Sequence, residues 1–348
     1  MKKLLLLVLF ASSCAPTIKN FSNYQKQFIS KSSFMPSKEN LEGKLPKVAV
    51  FAFDANENQV AIETSLGNTL ADKVENILSQ NRLASLLDRK ATEKLAKEIA
   101  LVEMNKTGSY KGPQVADFAV SGSISNAGFT SKYSNGSTYI DPKTGNVITI
   151  PPSYKYSSQV TGNLKIYELP SMAVVEVIEF DNKEGRSENV SQDGGVSFGG
   201  LQIGGEKAKA AQRDDNLVRK AGIGAIDDIK VNLQNAFSKR GYVLEKRVYD
   251  NKSIFKISLG STDGINQGDK FEVSGQYESE NPITNEMEVE TRIIAKGVVA
   301  DKVEPKSAWV LIDDAKTADL IRLGDVVKMK YKKSSFAAVA KVAKSLAQ

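Results

Sequence analysis

Lys47-Val48-Ala49-Val50-Phe51-Ala52-Phe53 opens the stretch, 47–124, whose reading decides the fold. A helix-period segment follows over 60–81, then the short apolar run 83–89, a second helical segment over 91–105, and the strand Asp117-Phe118-Ala119-Val120-Ser121-Gly122-Ser123-Ile124. Apolar runs that alternate with helical segments predict helices packed on a sheet. In the first segment Leu66, Leu70, Val74 and Ile77/Leu78 recur at spacings of four and three, which places them on one stripe. Leu95, Ile99 and Val102 do the same in the second. Asp88 stands where it caps that helix, and Lys94 and Lys97 fall on its solvent side.

The runs "KVAVFAFD", "LASLLDRKATEKLAKEI" and "ADFAVSGSIS", with a long helix after the first, resemble the curli assembly/transport lipoprotein family (CsgG-type) over roughly 45–240. The resemblance implies an early strand leading into a helix, and a second helix followed by a strand that carries Gly-Ser-Ile. It also implies a hairpin that joins neighbouring copies into a transmembrane barrel. It carries no catalytic residue, so it bears on function by analogy only.

A chain of 348 residues has room for two or three domains. Charged residues at 25% and apolar residues at 41% are ordinary for a globular protein. The formal charge of +6 is mild and the charges are interspersed. Lys328 to Lys333 is the one basic cluster, and it reads as a solvated strand end. There is no histidine and only one cysteine, Cys14. Zinc sites built from cysteine or paired histidine, Cys/His nucleophile pairs and disulfides within the chain are therefore not expected.

Lys2-Lys3, the apolar run Leu4 to Phe10, and Ala11-Ser12-Ser13 before Cys14 have the layout of a bacterial lipoprotein signal. The apolar run is too short to cross a bilayer as a helix. On this reading 1–13 is removed and Cys14 is lipidated, which anchors the chain to a membrane. The alternative is an ordinary signal with an incidental cysteine. Ala15 after Cys14 resembles the pattern sorted to the outer membrane. Residues 14–46 read as a polar tether with recurring aromatics, Phe21, Tyr24, Phe28 and Phe34, that dock on a neighbour or on the chain itself.

The first domain, 47–242, carries two insertions. In 126–160 the run Asp141-Pro142-Lys143-Thr144-Gly145-Asn146 is a turn. Ile148, Ile150, Tyr154, Tyr156 and Val160 share a parity on the return strand, facing Phe129, Ser131, Tyr133, Asn135, Ser137 and Tyr139 on the outgoing one. This predicts a hairpin whose return strand is interrupted by Pro151-Pro152. Strands 159–169 and 172–180, joined at Pro170-Ser171, lead into the second insertion, 181–205. Its charged half, 181–188, is costly to place in lipid. Its Gly-rich half, with Val196 and Phe198, reads as a mobile loop by default, or as an oligomer or membrane strand. The glycines do not form a phosphate loop, because no Lys-Ser/Thr follows them. A long helix over 206–240 is expected next, with Leu217, Ala221, Ile226, Ile229, Leu233 and Phe237 buried and Gly241 ending it. Asp214-Asp215 and Asp227-Asp228 on that helix read as solvated or capping groups rather than a metal site.

The segment 243–333 reads as all β, with about five or six strands near 254–259, 270–274, 289–303, 308–312 and 325–331. Two turns share a form, "GINQGDKFEV" at 264–273 and "IRLGDVVKM" at 321–329. This part resembles the C-terminal domain of flagellar assembly protein T. The tail 334–348 is amphipathic through Phe336, Val339, Val342 and Leu346.

The fold class expected is therefore α+β: an α/β sheet-and-helix domain (CsgG-like) followed by a small all-β barrel domain. No constellation for chemistry is present, so no enzyme and no cofactor or metal are expected. The expected function is an outer-membrane lipoprotein, a homo-oligomeric ring acting in assembly or secretion of a surface structure. Phe129, Tyr133, Ile148, Ile150, Tyr154, Tyr156, Val196 and Phe198 are its candidate pore or oligomer residues. The alternative is a non-pore structural lipoprotein facing the periplasm. Partners are the membrane, through Cys14, and other envelope or assembly proteins, with no nucleic acid.

Overall fold

The computed structural model describes residues 16–37, 45–80, 82–88, 91–95, 97, 116–169, 171–189, 196–198, 201–203, 212–280, 282 and 286–332. In chain order the first elements are β1 (Gln25–Gln27), β2 (Lys47–Val50), α1 (Gln59–Glu63), α2 (Leu66–Gln80), β3 (Ser85–Leu86), β4 (Phe118–Ser134), β5 (Ser137–Ile140), β6 (Val147–Ile150), β7 (Ser153–Glu168) and β8 (Ala173–Asn189). After these come β9 (Val196–Phe198), β10 (Leu201–Ile203), α3 (Asp215–Asp228), α4 (Lys230–Ala236), β11 (Arg240–Tyr249), β12 (Lys252–Ile257), β13 (Lys270–Glu280), β14 (Met287–Val303), β15 (Ala308–Ile312) and β16 (Val326–Lys330). They form two compact units, one from 46–237 and one from 16–37 with 238–331.

The first unit is a five-stranded sheet of order β3-β2-β4-β7-β8. β2 runs parallel to β3 and β4, while β4–β7 and β7–β8 are antiparallel. The predicted stripe is the core of α2: Leu66, Leu70, Val74, Ile77 and Leu78 are all buried. Burying each such side chain contributes about 1.5–3 kcal/mol. α2 packs beside α3, and α3 lies on β7 and β8, over the face that carries Val160, Leu164, Ile178 and Phe180. On the other face Leu95 packs with Ala49, Ala116, Ala119 and Leu169. Its helical turn starts as expected, with the Ala91 N–H donating to Asp88 Oδ1 at 3.0 Å. Ile99 and Val102 lie outside the described residues.

Two expectations are corrected here. The helix expected over 60–81 is two, α1 and α2, because Ser65 takes a left-handed φ of 51° between them. Of the helix expected over 206–240, residues 206–211 lie outside the described residues, and the rest holds α3 and α4, broken at Ile229. It does not reach Gly241, because Arg240-Gly241-Tyr242 instead pairs with Lys328-Val327-Val326. Gly241 is needed for close approach: a Cβ there would stand 2.5 Å from the Leu259 side chain.

That pairing closes the second unit. The strands run β11-β12-β15-β14-β13-β16, and β16 returns to β11, which gives a closed six-stranded barrel. Inside it pack Phe255, Ile257, Phe271, Val273, Val299, Val310, Val327 and Met329. The repeated turn is the same device twice. The Asn266 N–H donates to Asp269 Oδ2 at 2.9 Å, and the Arg322 N–H to Asp325 Oδ2 at 2.8 Å. Gly268 and Gly324 take φ of 91° and 86°, which side chains resist. Each turn feeds a strand, β13 or β16, and these two strands pair. Burial pushes both carboxyls above the ordinary aspartate range. Asp325 is 1% exposed and also accepts from Arg322 Nη2 at 3.1 Å. Asp325→Ala removes the acceptor of the Arg322 N–H and leaves Arg322 Nη2 with the Gln276 carbonyl alone, and the expected cost in a urea titration is about 2–3 kcal/mol.

Candidate functional site

β4, β7 and β8 are 17, 16 and 17 residues long. At about 3.3 Å per residue such strands extend some 50 Å. A bulge between Ile124 and Asn126 resets the alternation of β4. Ala127, Phe129, Ser131 and Tyr133 thereby share a face with Val160, Ser158, Tyr156 and Tyr154, their partners across the strands. The expected pairing of the two arms thus forms, and it brings four of the candidate residues into one aromatic ladder. Phe129 stacks on Tyr156 at 6.1 Å, Tyr156 on Tyr154 at 5.9 Å, and Tyr154 meets Tyr133 at 5.1 Å.

β8 completes the ladder with a cation. Arg186 lies 4.4 Å above the Tyr156 ring. Its Nε donates to Asp214 at 2.8 Å and its Nη1 to Glu188 at 3.0 Å. Burial first, and then Glu188, raise the Tyr156 hydroxyl above its ordinary pKa. The charged run 181–188, expected as the first half of an insertion, is the second half of β8, paired with β7 as far as Asn189. Asp214 also caps α3, accepting the Leu217 N–H at 3.1 Å. Burial acts against its charge, but the Leu217 N–H and the Arg186 guanidinium outweigh that and hold its carboxyl below the usual range. Asp214→Ala is expected to cost about 1–2 kcal/mol by loss of the cap. A group whose pKa falls on folding stabilises at neutral pH and loses that contribution in acid. The difference between wild type and variant in urea should therefore shrink from about pH 4 downward.

Beyond the ladder both arms break at one level, at Asn135-Gly136 and at Pro151-Pro152. The chain then forms a separate tip hairpin, β5–β6. One face holds Ser137, Tyr139, Ile148 and Ile150; the other holds Thr138, Ile140, Val147 and Thr149. All eight are exposed, Ile140 to 66% and Val147 to 67%. The Asp141 carboxylate closes the turn, accepting the Lys143 N–H at 2.9 Å and the Thr144 hydroxyl at 2.7 Å, which holds its pKa down. Ile148 and Ile150 thus stand apart from the aromatic ladder. Val196 and Phe198 lie on β9, which pairs with β10 through Val196↔Ile203 and Phe198↔Leu201. Among the described residues no pairing joins β9–β10 to the ladder or the tip.

The sheet also has open edges. Among the described residues β4 has no strand beyond the Asp54↔Ser123 bridge on the side away from β7, and β8 has none along its outer edge. Near its start β8 exposes Val174, Val175 and Val177, each to about half. Beside them an open groove of about 620 Å³ is lined by Phe180, Asp181, Asp228, Ile229 and Asn232. The aspartates flagged in the sequence are structural partners: Asp215 pairs with Arg213 at 2.7 Å, Asp227 with Lys73 at 2.8 Å, and Asp228 accepts from Asn182 at 3.4 Å. Among the described residues no group of three or more acidic, histidine or cysteine side chains could hold a metal, and no helix is long and apolar enough to cross a membrane. The valine edge escaped a local reading, because only the strand order makes β8 an edge. No protein-family model matches the chain, and neither does any curated protein.

Proposed function

We propose that this chain is a lipid-anchored protein of the bacterial outer membrane, facing the periplasm, which self-associates and helps to assemble or secrete a surface structure. The anchor is Cys14, at the end of the apolar run 4–10 and the small residues 11–13. The observation that carries the reading is the long sheet, with an apolar open edge on β8 and a tip apolar on both faces. An exposed apolar edge invites another chain. A lone two-stranded ribbon is marginal in water, so a tip of this composition favours a covering partner. In a ring of like-oriented copies, the 181–189 half of β8 meets the open edge of β4 in the next copy, and the valine stretch, level with the part of β4 that β2 covers, faces the β3 side. Such a contact is head-to-tail and closes by rotation.

A scaffold that does not span the membrane is favoured over a channel. A membrane strand needs roughly nine to eleven residues, and the apolar strands of the tip have four each. Behind them β8 carries Glu184, Arg186 and Glu188 on the face of the aromatic ladder. One observation favours the channel: 128–140 and 147–160 are extended except at the two short breaks. Straightened through those breaks, each would be long enough.

The test is native mass and particle imaging of the full chain, extracted from outer membranes in mild detergent. An oligomer is expected, reduced to monomer by Val175→Lys with Val177→Lys, and Cys14→Ser should release the protein from the membrane. A stain-filled channel would replace the scaffold with the channel reading. A wild-type monomer would remove both.

A further inference from the structure

Residues 16–37 have the composition of a flexible tether, yet they lie along the outside of the barrel. Gln267 Nε2 donates to the Pro16 carbonyl at 2.9 Å, and the Ile18 N–H donates to Asp301 Oδ1 at 2.9 Å. Ile18 and Tyr24 are buried in one cluster with Ile254, Ala300 and Trp309. Phe21 meets Trp309 edge-on at 5.2 Å, and the Arg247 guanidinium lies 4.7 Å from the Trp309 ring and 5.4 Å from that of Phe21. β1 then pairs with β11 through Gln25↔Val248, Lys26↔Arg247 and Gln27↔Lys246, on the stretch of edge that β16 leaves open. Farther on, the Leu323 N–H donates to the Ser30 carbonyl at 2.9 Å and the Ser32 N–H to the Leu323 carbonyl at 2.8 Å. The segment is a clasp. It starts beside Gln267 and Asp301 and ends at the Gly324 turn.

Cys14 stands two residues before Pro16, and two residues reach at most about 7 Å. We propose that the barrel lies at the membrane, its face around Pro16, Gln267 and Asp301 resting on the phospholipid headgroups. The clasp leaves at most about 7 Å of chain between a lipid on Cys14 and the barrel wall. Lys19 and Lys302 are exposed beside Ile18 and Asp301 and offer cations to anionic headgroups. The proposal rests on the lipid-anchor reading above, and adds to it which surface the lipid meets.

Lipidation consumes the only cysteine of the chain. A cysteine introduced into the lipidated full chain is then the one free thiol. Spin labels at Lys302→Cys, beside the clasp's start, and at Lys252→Cys, the first residue of β12, are compared in phospholipid vesicles that carry a nickel-chelating headgroup. Relaxation should be severalfold stronger at 302 than at 252. In an Ile18→Asp, Phe21→Ala background the clasp should open, and the two labels should converge while the protein stays on the vesicles. Equal relaxation in the clasped protein overturns the proposal. A Cys14→Ser chain that remains membrane-bound in cells overturns the anchor reading instead.

Discussion

A chain lacking residues 137–152 should fold as the full protein does and fail to assemble. The deletion joins Gly136 to Ser153, next to the last cross-strand pair of the ladder arms, Ser134↔Ser153. Asn135-Gly136 then becomes a two-residue loop between paired strands, the sequence that such a hairpin favours most. β5 and β6 pair only with each other and every residue of both is exposed; of the deleted residues only Pro152 is buried, and it lies beside the Gly136 break. The expected change in unfolding free energy is within about 0.5 kcal/mol. Association is different. Tyr139, Ile140, Val147, Ile148 and Ile150 are exposed in the monomer, and burying even two such side chains at an interface contributes about 3 kcal/mol or more. The deletion should therefore weaken self-association about a hundredfold or more. Analytical ultracentrifugation across a dilution series reads this directly, with urea titration as the control. A shortened chain that assembles as tightly as wild type would move the contact to the β8 edge alone.

What the sequence makes legible follows from the range of the forces involved. The stripe Leu66 to Leu78 and the cap at Asp88 depend on neighbours within a few turns, and both stand as expected. The ladder residues were legible because strand parity is local too. The Gly-Asp turns could be matched by eye because the same short hydrogen-bonded loop recurs. The misplaced elements are those that distant partners decide. Gly241 looks like a helix stop, but β16, more than eighty residues later, draws it into a strand. The run 181–188 looks like the start of an insertion because it has charges and no apolar face. It is a strand because β7 offers a full register, and because Asp214 pairs with Arg186. Phe21 and Tyr24 in a polar segment were the signal for the clasp, since apolar rings in a true tether would stay wet. Their dock on Trp309 and Tyr249 was beyond local reach.

Gly67→Val is expected to be the most disruptive single substitution in the α/β unit. A Cβ at Gly67 would stand 2.2 Å from the Phe53 carbonyl oxygen, a main-chain atom, so no rotamer change relieves the clash. Phe53 has little room to retreat. Its N–H donates to the Gly67 carbonyl at 3.2 Å, and the next N–H, of Asp54, donates to the Gly122 carbonyl at 2.8 Å. Its ring packs 5.9 Å from Phe180 and fills the space over Gly122. Moving the 51–54 segment outward thus breaks its bonds to β4 and opens the core between the sheet and α2. Overpacking ordinarily costs about 1–3 kcal/mol. Here the obstacle is backbone held on both sides, and the expected loss is about 3 kcal/mol or more, a large share of the stability of an ordinary domain. The barrel is a separate compact unit with its own core, so the effect should be confined. In a urea titration the transition reported by Trp309, the only tryptophan, should hold its midpoint. The far-ultraviolet transition should split, with an early phase from the first unit. A single late transition would mean that the 51–54 segment yields more easily than its hydrogen bonds imply.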